Sequence, residues 1–496
     1  MGDVLMLRPG ERVPVDGVIS EGESAIDESM ITGEPMPVMK KVGDSVVAGT
    51  LNGKGALTFR AIRVGQATML ASIIRMVKEA QASRAPIQEL ADKISGIFVP
   101  VVLTIAILSF AIWLGAGFWL IPLSQAVSMA ILSLVSVLVI ACPCALGLAT
   151  PTAIITGVGR GANFGILIKN AGALQKLAEV NAVVVDKTGT LTQGKPSVVE
   201  ILTMKDGVTK EEVLSCAASL EQKSEHPLAE SILTYAQQNN IAFLPAENVS
   251  AIEGRGIEGL ISGKKYFAGS LRFAVERGMR IAPELGEQVE YFAATPILLM
   301  DENEILGCIL VADEVKPTAF DAVCKLHELK VMVAMATGDD SHAAQAIARK
   351  TGVDEVHARL LPADKQKLVS NLQRKGMVVA MAGDGINDAP ALARADVGVA
   401  MDHGADIAIE SADITLLKGD IGKLEKAIRL SRITMRIVRQ NLFWAFAYNV
   451  IGIPLAAGFF YPFFGWHLNP AFAGAAMALS SVTVVLNSLR LKAIRV

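Results

Sequence analysis

Ala182-Val183-Val184-Val185-Asp186-Lys187-Thr188-Gly189-Thr190-Leu191-Thr192 decides how the soluble part of this chain is built. Four consecutive apolar residues, three of them β-branched, predict a strand buried on both faces, as in a parallel sheet. The strand ends on an aspartate, and a glycine-containing turn follows. Working outward, short apolar runs recur at 331–335, 378–381, 397–401 and 414–417, separated by helical stretches. Strands alternating with helices predict a doubly wound parallel α/β sheet. Asp186, Asp339 and Asp384 stand at the C-terminal ends of three of these strands. Open α/β sheets gather their ligands at that edge.

The residue types at the edge suit phosphoryl transfer. Asp186 can act as a nucleophile toward phosphorus, and the turn through Thr188 can cradle phosphoryl oxygens with its backbone N–H groups. Thr337 offers a hydroxyl to a phosphoryl oxygen, and Lys365 a neutralising charge. Asp384 and Asp388, in Gly383-Asp384-Gly385-Ile386-Asn387-Asp388-Ala389-Pro390, are hard oxygen donors of the kind Mg²⁺ takes. Three carboxylates, a lysine and a magnesium account for phosphoryl transfer without an organic cofactor.

The rest of the chain is not soluble in character. Of its 496 residues 52% are apolar, and four stretches are long enough to cross a bilayer: residues 96–120, 123–146, 442–461 and 470–489. The loops 115–124 and 461–469 lack Lys and Arg, whereas Arg75, Lys78, Arg84, Lys93, Arg160, Lys169, Arg429, Arg432, Arg436, Arg439, Arg490, Lys492 and Arg495 flank the opposite ends. The positive-inside rule then puts the soluble insert in the cytoplasm. A net charge of -3 argues against a nucleic-acid partner or a polybasic anchor. Residues 1–10 are polar and do not form a cleavable signal. Cys216, Cys308 and Cys324 read as buried reduced thiols. Cys142-Pro143-Cys144 lies mid-span, where the proline opens the helix and lets both sulfurs face one cavity. Soft sulfur ligands select Cu(I).

Asp186-Lys187-Thr188-Gly189-Thr190-Leu191-Thr192, the Gly383 motif, Thr32-Gly33-Glu34 and Cys142-Pro143-Cys144 together resemble the P-type ATPases, in their heavy-metal subclass and copper(I) branch. The resemblance covers essentially the whole chain. It implies autophosphorylation of Asp186 by ATP, with Mg²⁺ bridging to Asp384 and Glu34 positioning the water that hydrolyses the aspartyl phosphate. It implies ATP binding by Glu221 and His226 at the adenine and by Gly254 and Gly256 at close backbone approach. Cu(I), and Ag(I) with it, would be held by Cys142, Cys144, Tyr448, Asn449, Met477 and Ser481, and received near Asp92. A copper chaperone or metal-binding domain would deliver it, and the bilayer would be a bacterial inner membrane.

The implied domains are an actuator at 1–75, membrane helices at 76–160 and 426–496, a haloacid dehalogenase-like phosphorylation domain at 161–192 and 311–425, and an α+β nucleotide-binding domain at 193–310. The family has further spans before the actuator, so the resemblance implies a piece of a longer protein. Three departures stand out: Gly269-Ser270 where Gly-Asn is common, Ala336 before Thr337, and Asp402-His403 after Met401. A zinc or cadmium pump is the nearest rival, but the last two spans lack the carboxylate or lysine that a divalent ion wants. A non-transporting metal-binding protein is a second rival, whereas a soluble phosphatase of the same fold is excluded by the spans.

Overall fold

The computed structural model describes the chain apart from residues 29–36, 117, 118, 120, 223, 225, 226, 253, 254, 282, 293, 339, 340, 384–387, 402–411, 466, 467, 495 and 496. Its contacts divide it into two units. One comprises Met1–Val180, Ala412–Lys418 and Lys423–Val496, the other Asn181–Ser411 and Gly419–Gly422.

The first unit opens with two small antiparallel sheets. Val4–Leu7, Leu57–Arg63, Asp16–Glu21 and Ser45–Val46 lie side by side in one, and Val38–Lys40, Ser24–Asp27 and Leu51–Asn52 in the other. Alternating side chains send Leu7, Ile19, Ile26, Leu57 and Phe59 into a shared core. The buried Asp16 carboxylate ties this domain to its exit helix by accepting from Ala48 N at 2.8 Å and Met69 N at 2.7 Å.

Five long helices follow: α1 (Pro86–Ala116), α2 (Leu123–Ile140), α3 (Cys144–Asn163), α4 (Gly422–Ala456) and α5 (Pro470–Leu489). Pro143 has no N–H to donate, and it stands where α2 ends and α3 begins. Among the described residues three helical stretches are long and apolar enough to span a bilayer: Lys78–Ala116, Leu123–Asn163 and Pro470–Ala493. The expected span at 442–461 is not among them. Its helix stops at Ala456, so the apolar part beyond Asn441 falls short of ~20 residues and carries Tyr448 and Asn449. Backbone freed at that end is satisfied from α1, because Ser109 Oγ and Trp113 Nε1 each donate to Ala457 O at 3.0 Å. An unmatched carbonyl in hydrocarbon would cost several kcal/mol. Ile166–Ile168 and Ile414–Leu416 pair antiparallel within this unit.

The second unit holds the decisive strand as β1 (Ala182–Asp186), with β2 (Met332–Ala336), β3 (Glu355–His357), β4 (Val379–Gly383) and β5 (Val397–Met401). They lie in the order β3-β2-β1-β4-β5, each paired in parallel with its neighbour. Val183 stands level with Val333 on one side and Ala380 on the other. Strands β1, β4 and β5 are fully buried, as their apolar runs require, whereas β3 at the edge is half-buried. Thr192–Thr203 and Ile305–Val315 then pair antiparallel, with Thr192 opposite Val315, and return the chain to where it left. Between them lies the insert, completed by Thr295–Met300, Lys264–Gly269, Gly256–Ile261 and Ala246–Ile252 as a six-stranded antiparallel sheet. Val213, Ala217 and Leu220 of helix Lys210–Glu221 cover one side of its core.

Candidate phosphorylation and metal sites

Strand geometry delivers Asp186 to the C-terminal edge of β1, and helix Pro362–Arg374 brings Lys365 across it. Lys365 Nζ donates to Asp186 Oδ1 at 2.6 Å and to Asp388 Oδ1 at 2.7 Å, and all three side chains are nearly closed to solvent. Burial alone would lower the lysine's pKa, but Asp186 and Asp388 outweigh it and hold the ammonium above its ordinary value. The close approach of Asp388 depends on Gly383. A Cβ at that position would lie 2.5 Å from Asp388 Oδ2. Thr337, 2% exposed, is fixed at the end of β2 by donating its N–H to His357 O at 2.9 Å.

Hard carboxylate oxygens converging on one cation are the donor set that Mg²⁺ takes, so Asp186 and Asp388 fit that metal. Held there, the metal would supply charge neutralisation for phosphoryl transfer. Asp384, Glu34, His226 and Gly254 lie outside the described residues, as do Asp339 and His403.

The turn after Asp186 is held by residues that sequence reading did not single out. Lys316 Nζ donates to Gly189 O and, at 2.8 Å, to Gly419 O, while its backbone N–H donates to Leu191 O at 2.9 Å. Asp313 accepts from Thr192 Oγ1 at 2.5 Å and from Gly194 N at 2.8 Å. The signal was a charge pair placed three residues apart just where the insert rejoins the sheet. Within the turn Thr188 is exposed, and Thr190 Oγ1 is buried without a hydrogen-bond partner.

Glu221 closes helix Lys210–Glu221 and is half-buried. Gly256 has a φ of 155°, and a Cβ there would sit 2.1 Å from Ala268 O. The neighbouring strand alone therefore demands glycine at this position.

In the first unit the interruption at Pro143 brings both sulfurs to one side. Cys142 and Cys144 are joined as a disulfide with an S–S distance of 2.06 Å. They were expected as two thiolates; in this oxidised form neither carries the charge a metal needs, so ligation requires the reduced pair. Gly452 sets the height of the break, because a Cβ there would meet Ile140 Cδ1 at 2.1 Å. Ile140 is the last residue of α2 and Gly452 follows Asn449 by one turn, which levels the Cys-Pro-Cys break with Asn449. Ala145 and Leu146 of α3, Ala445 of α4 and Val484 of α5 pack together just below. Asn449 is buried, Met477 and Ser481 are half-buried, and Ser481 Oγ donates to Met477 O at 3.4 Å. Tyr448 is 41% exposed and lies against Trp444, with ring centroids 6.1 Å apart.

A parallel α/β sheet with an aspartate at its edge, carried with membrane-length helices, defines the class of this molecule. The haloacid dehalogenase-like hydrolase family matches residues 180–396, and the P-type ATPase actuator domain matches residues 1–78. A zinc-transporting PIB-type ATPase, solved in its E2.Pi state, aligns with a TM-score of 0.71 and 34% identity over 99% of this chain and 78% of that one. The chain belongs to the P-type ATPases. A copper-exporting P-type ATPase of Legionella pneumophila is 47% identical over 99% of this chain, and a silver exporting P-type ATPase of Salmonella typhimurium is 47% identical over 100%. The chain spans 66% and 60% of these two relatives' lengths.

Proposed function

We propose that this chain carries the phosphorylation engine and the Cys-Pro-Cys part of the ion path of an ATP-driven Cu(I) exporter of a bacterial inner membrane, with Ag(I) as a second cargo. The observation that carries the engine is Lys365 Nζ held between Asp186 and Asp388 at the sheet edge. Asp186 attacks the γ-phosphorus of ATP while Lys365 offsets the charge that gathers on the transferring oxygens. Thr337 and the turn Lys187–Leu191 orient the phosphoryl group, and Glu34 positions the water for its release. Glu221, His226, Gly254 and Gly256 form the nucleotide side of the reaction.

Copper follows from the donors. Reduced Cys142 and Cys144 with the Met477 thioether make a soft, low-coordinate set, supported by Tyr448, Asn449 and Ser481. A copper chaperone or a metal-binding domain delivers the ion. Zinc is the second reading, raised by the zinc-transporting neighbour. Against it, residues 442–461 and 470–489 carry no carboxylate or lysine, the partner a divalent ion wants within the spans.

Radiolabelled ATP with Mg²⁺ is expected to label the chain through an acid-stable, hydroxylamine-sensitive bond. Asp186→Asn abolishes the label, since an amide is a poor nucleophile. Label that survives this substitution overturns the assignment.

A further inference from the structure

At the cytoplasmic ends of α3 and α5 a pocket of about 640 Å³ opens outside the phosphorylation and Cys-Pro-Cys sites. Its polar lining comes from Thr152, Thr156, Arg160 and Asn163 on α3, from Ser488 on α5 and from Lys492 just beyond it. Among the described residues neither Arg160 nor Lys492 has an acidic partner, and no acidic residue lines the pocket. Arg160 donates through Nη2 to Ile494 O at 3.2 Å and lies 4.5 Å over the Phe164 ring. Its Nε is buried without a hydrogen-bond partner. A buried guanidinium nitrogen in that condition costs free energy unless an acceptor arrives.

Depth identifies the acceptor. With Cys144 at the centre of its membrane stretch, a rise of 1.5 Å per residue puts Thr152 roughly 12 Å and Arg160 roughly 24 Å toward the cytoplasm. The hydrocarbon half-thickness is about 15 Å and the headgroup boundary lies at about 20–22 Å, so the pocket runs from inside the hydrocarbon edge to the outer face of the headgroup layer. Ile155 and Leu489 also line it and are each 41% exposed, giving acyl chains an apolar track below the cations. A free phosphate would make no use of that track.

We propose that this pocket binds the phosphodiester headgroup of an anionic phospholipid, with Arg160 and Lys492 as its cations. The chemistry is that of basic pockets between membrane helices on the cytoplasmic side.

Native mass spectrometry of the 496-residue chain in neutral detergent, titrated with dioleoylphosphatidylglycerol or dioleoylphosphatidylcholine, tests this. The anionic lipid is expected to bind on the order of tenfold more tightly, and each cation removed to weaken it roughly fivefold. Arg160→Gln also loses the contact with Ile494, so Lys492→Gln, at an exposed position, is the deciding variant. Equal binding of the two lipids, or an unchanged preference in Lys492→Gln, shows a helix-packing groove and overturns the proposal. Displacement of the lipid by millimolar inorganic phosphate shows a free-anion site and overturns it as well.

Discussion

With Lys365 removed, Asp186 and Asp388 would face one another as buried carboxylates without a cation between them. Stripping one partner from such a cluster costs about 3–5 kcal/mol, far more than an exposed pair. Lys365→Met is therefore expected to lower the melting temperature of the second unit's transition and to depress labelling by ATP strongly. The pH dependence follows from the direction of the lysine's shift. Its folded-state pKa lies above the ordinary 10.5, so its stabilisation is present in full below that value. It is lost only as pH rises through the folded-state value. Melting curves of wild type and Lys365→Met should thus differ by a constant amount from neutrality to about pH 9, then converge above the ordinary lysine pKa. Convergence at neutral pH would show that Lys365 is not held charged by the two aspartates. Gly383→Ala tests the same cluster sterically. The added methyl needs space that Asp388 Oδ2 occupies, so it should cost about 1–3 kcal/mol and reduce labelling with Asp388 itself intact.

At the scale of elements, the strand ending on Asp186 was legible in the sequence because a fully buried parallel strand leaves an uninterrupted apolar run. The partner strands at 332–336, 379–383 and 397–401 were legible for the same reason. The membrane helices were less so. The stretch around Tyr448 has span-like composition, but its helix ends at Ala456, where Trp113 and Ser109 of α1 take up the freed carbonyl. A hydrogen bond between residues 344 positions apart leaves no local pattern. Lys316 and Gly452 were missed for a related reason: each acts on an element distant in sequence. Gly452 gives a sharp test, because α2 and α4 meet there without room for a side chain. Gly452→Leu should push Ile140 and the break away from Asn449, and weaken Cu(I) retention by the reduced chain against a chelator at least tenfold. Nucleotide binding should continue, since no residue of that site changes. Unchanged copper retention would mean that the α2–α4 contact does not set the metal site.

Over the whole molecule, the two kinds of chemistry stand in separate units, one edged with hard oxygens and the other carrying paired sulfurs. That separation makes metal preference testable apart from nucleotide binding. On the proposed assignment, reduced Cys142 and Cys144 with Met477 would offer two or three soft ligands, which would satisfy Cu(I) and Ag(I) but leave Zn²⁺ short of its usual four with nitrogen or oxygen among them. Because thiolates are the ligands, binding requires reductant: the chain should retain Cu(I) in dithiothreitol and lose it after oxidation. Cys142→Ser and Cys144→Ser should each abolish retention while leaving nucleotide binding intact. Met477→Leu keeps volume but removes the sulfur, so it should weaken Cu(I) retention without lowering the melting temperature by more than about 1.5 kcal/mol equivalent. Zn²⁺ offered at equal concentration should fail to displace the bound Cu(I). Should Zn²⁺ be retained as tightly as Cu(I), or should both serine variants keep copper, the sulfur set is not the determinant. The zinc reading raised by the 34%-identical structure then replaces it.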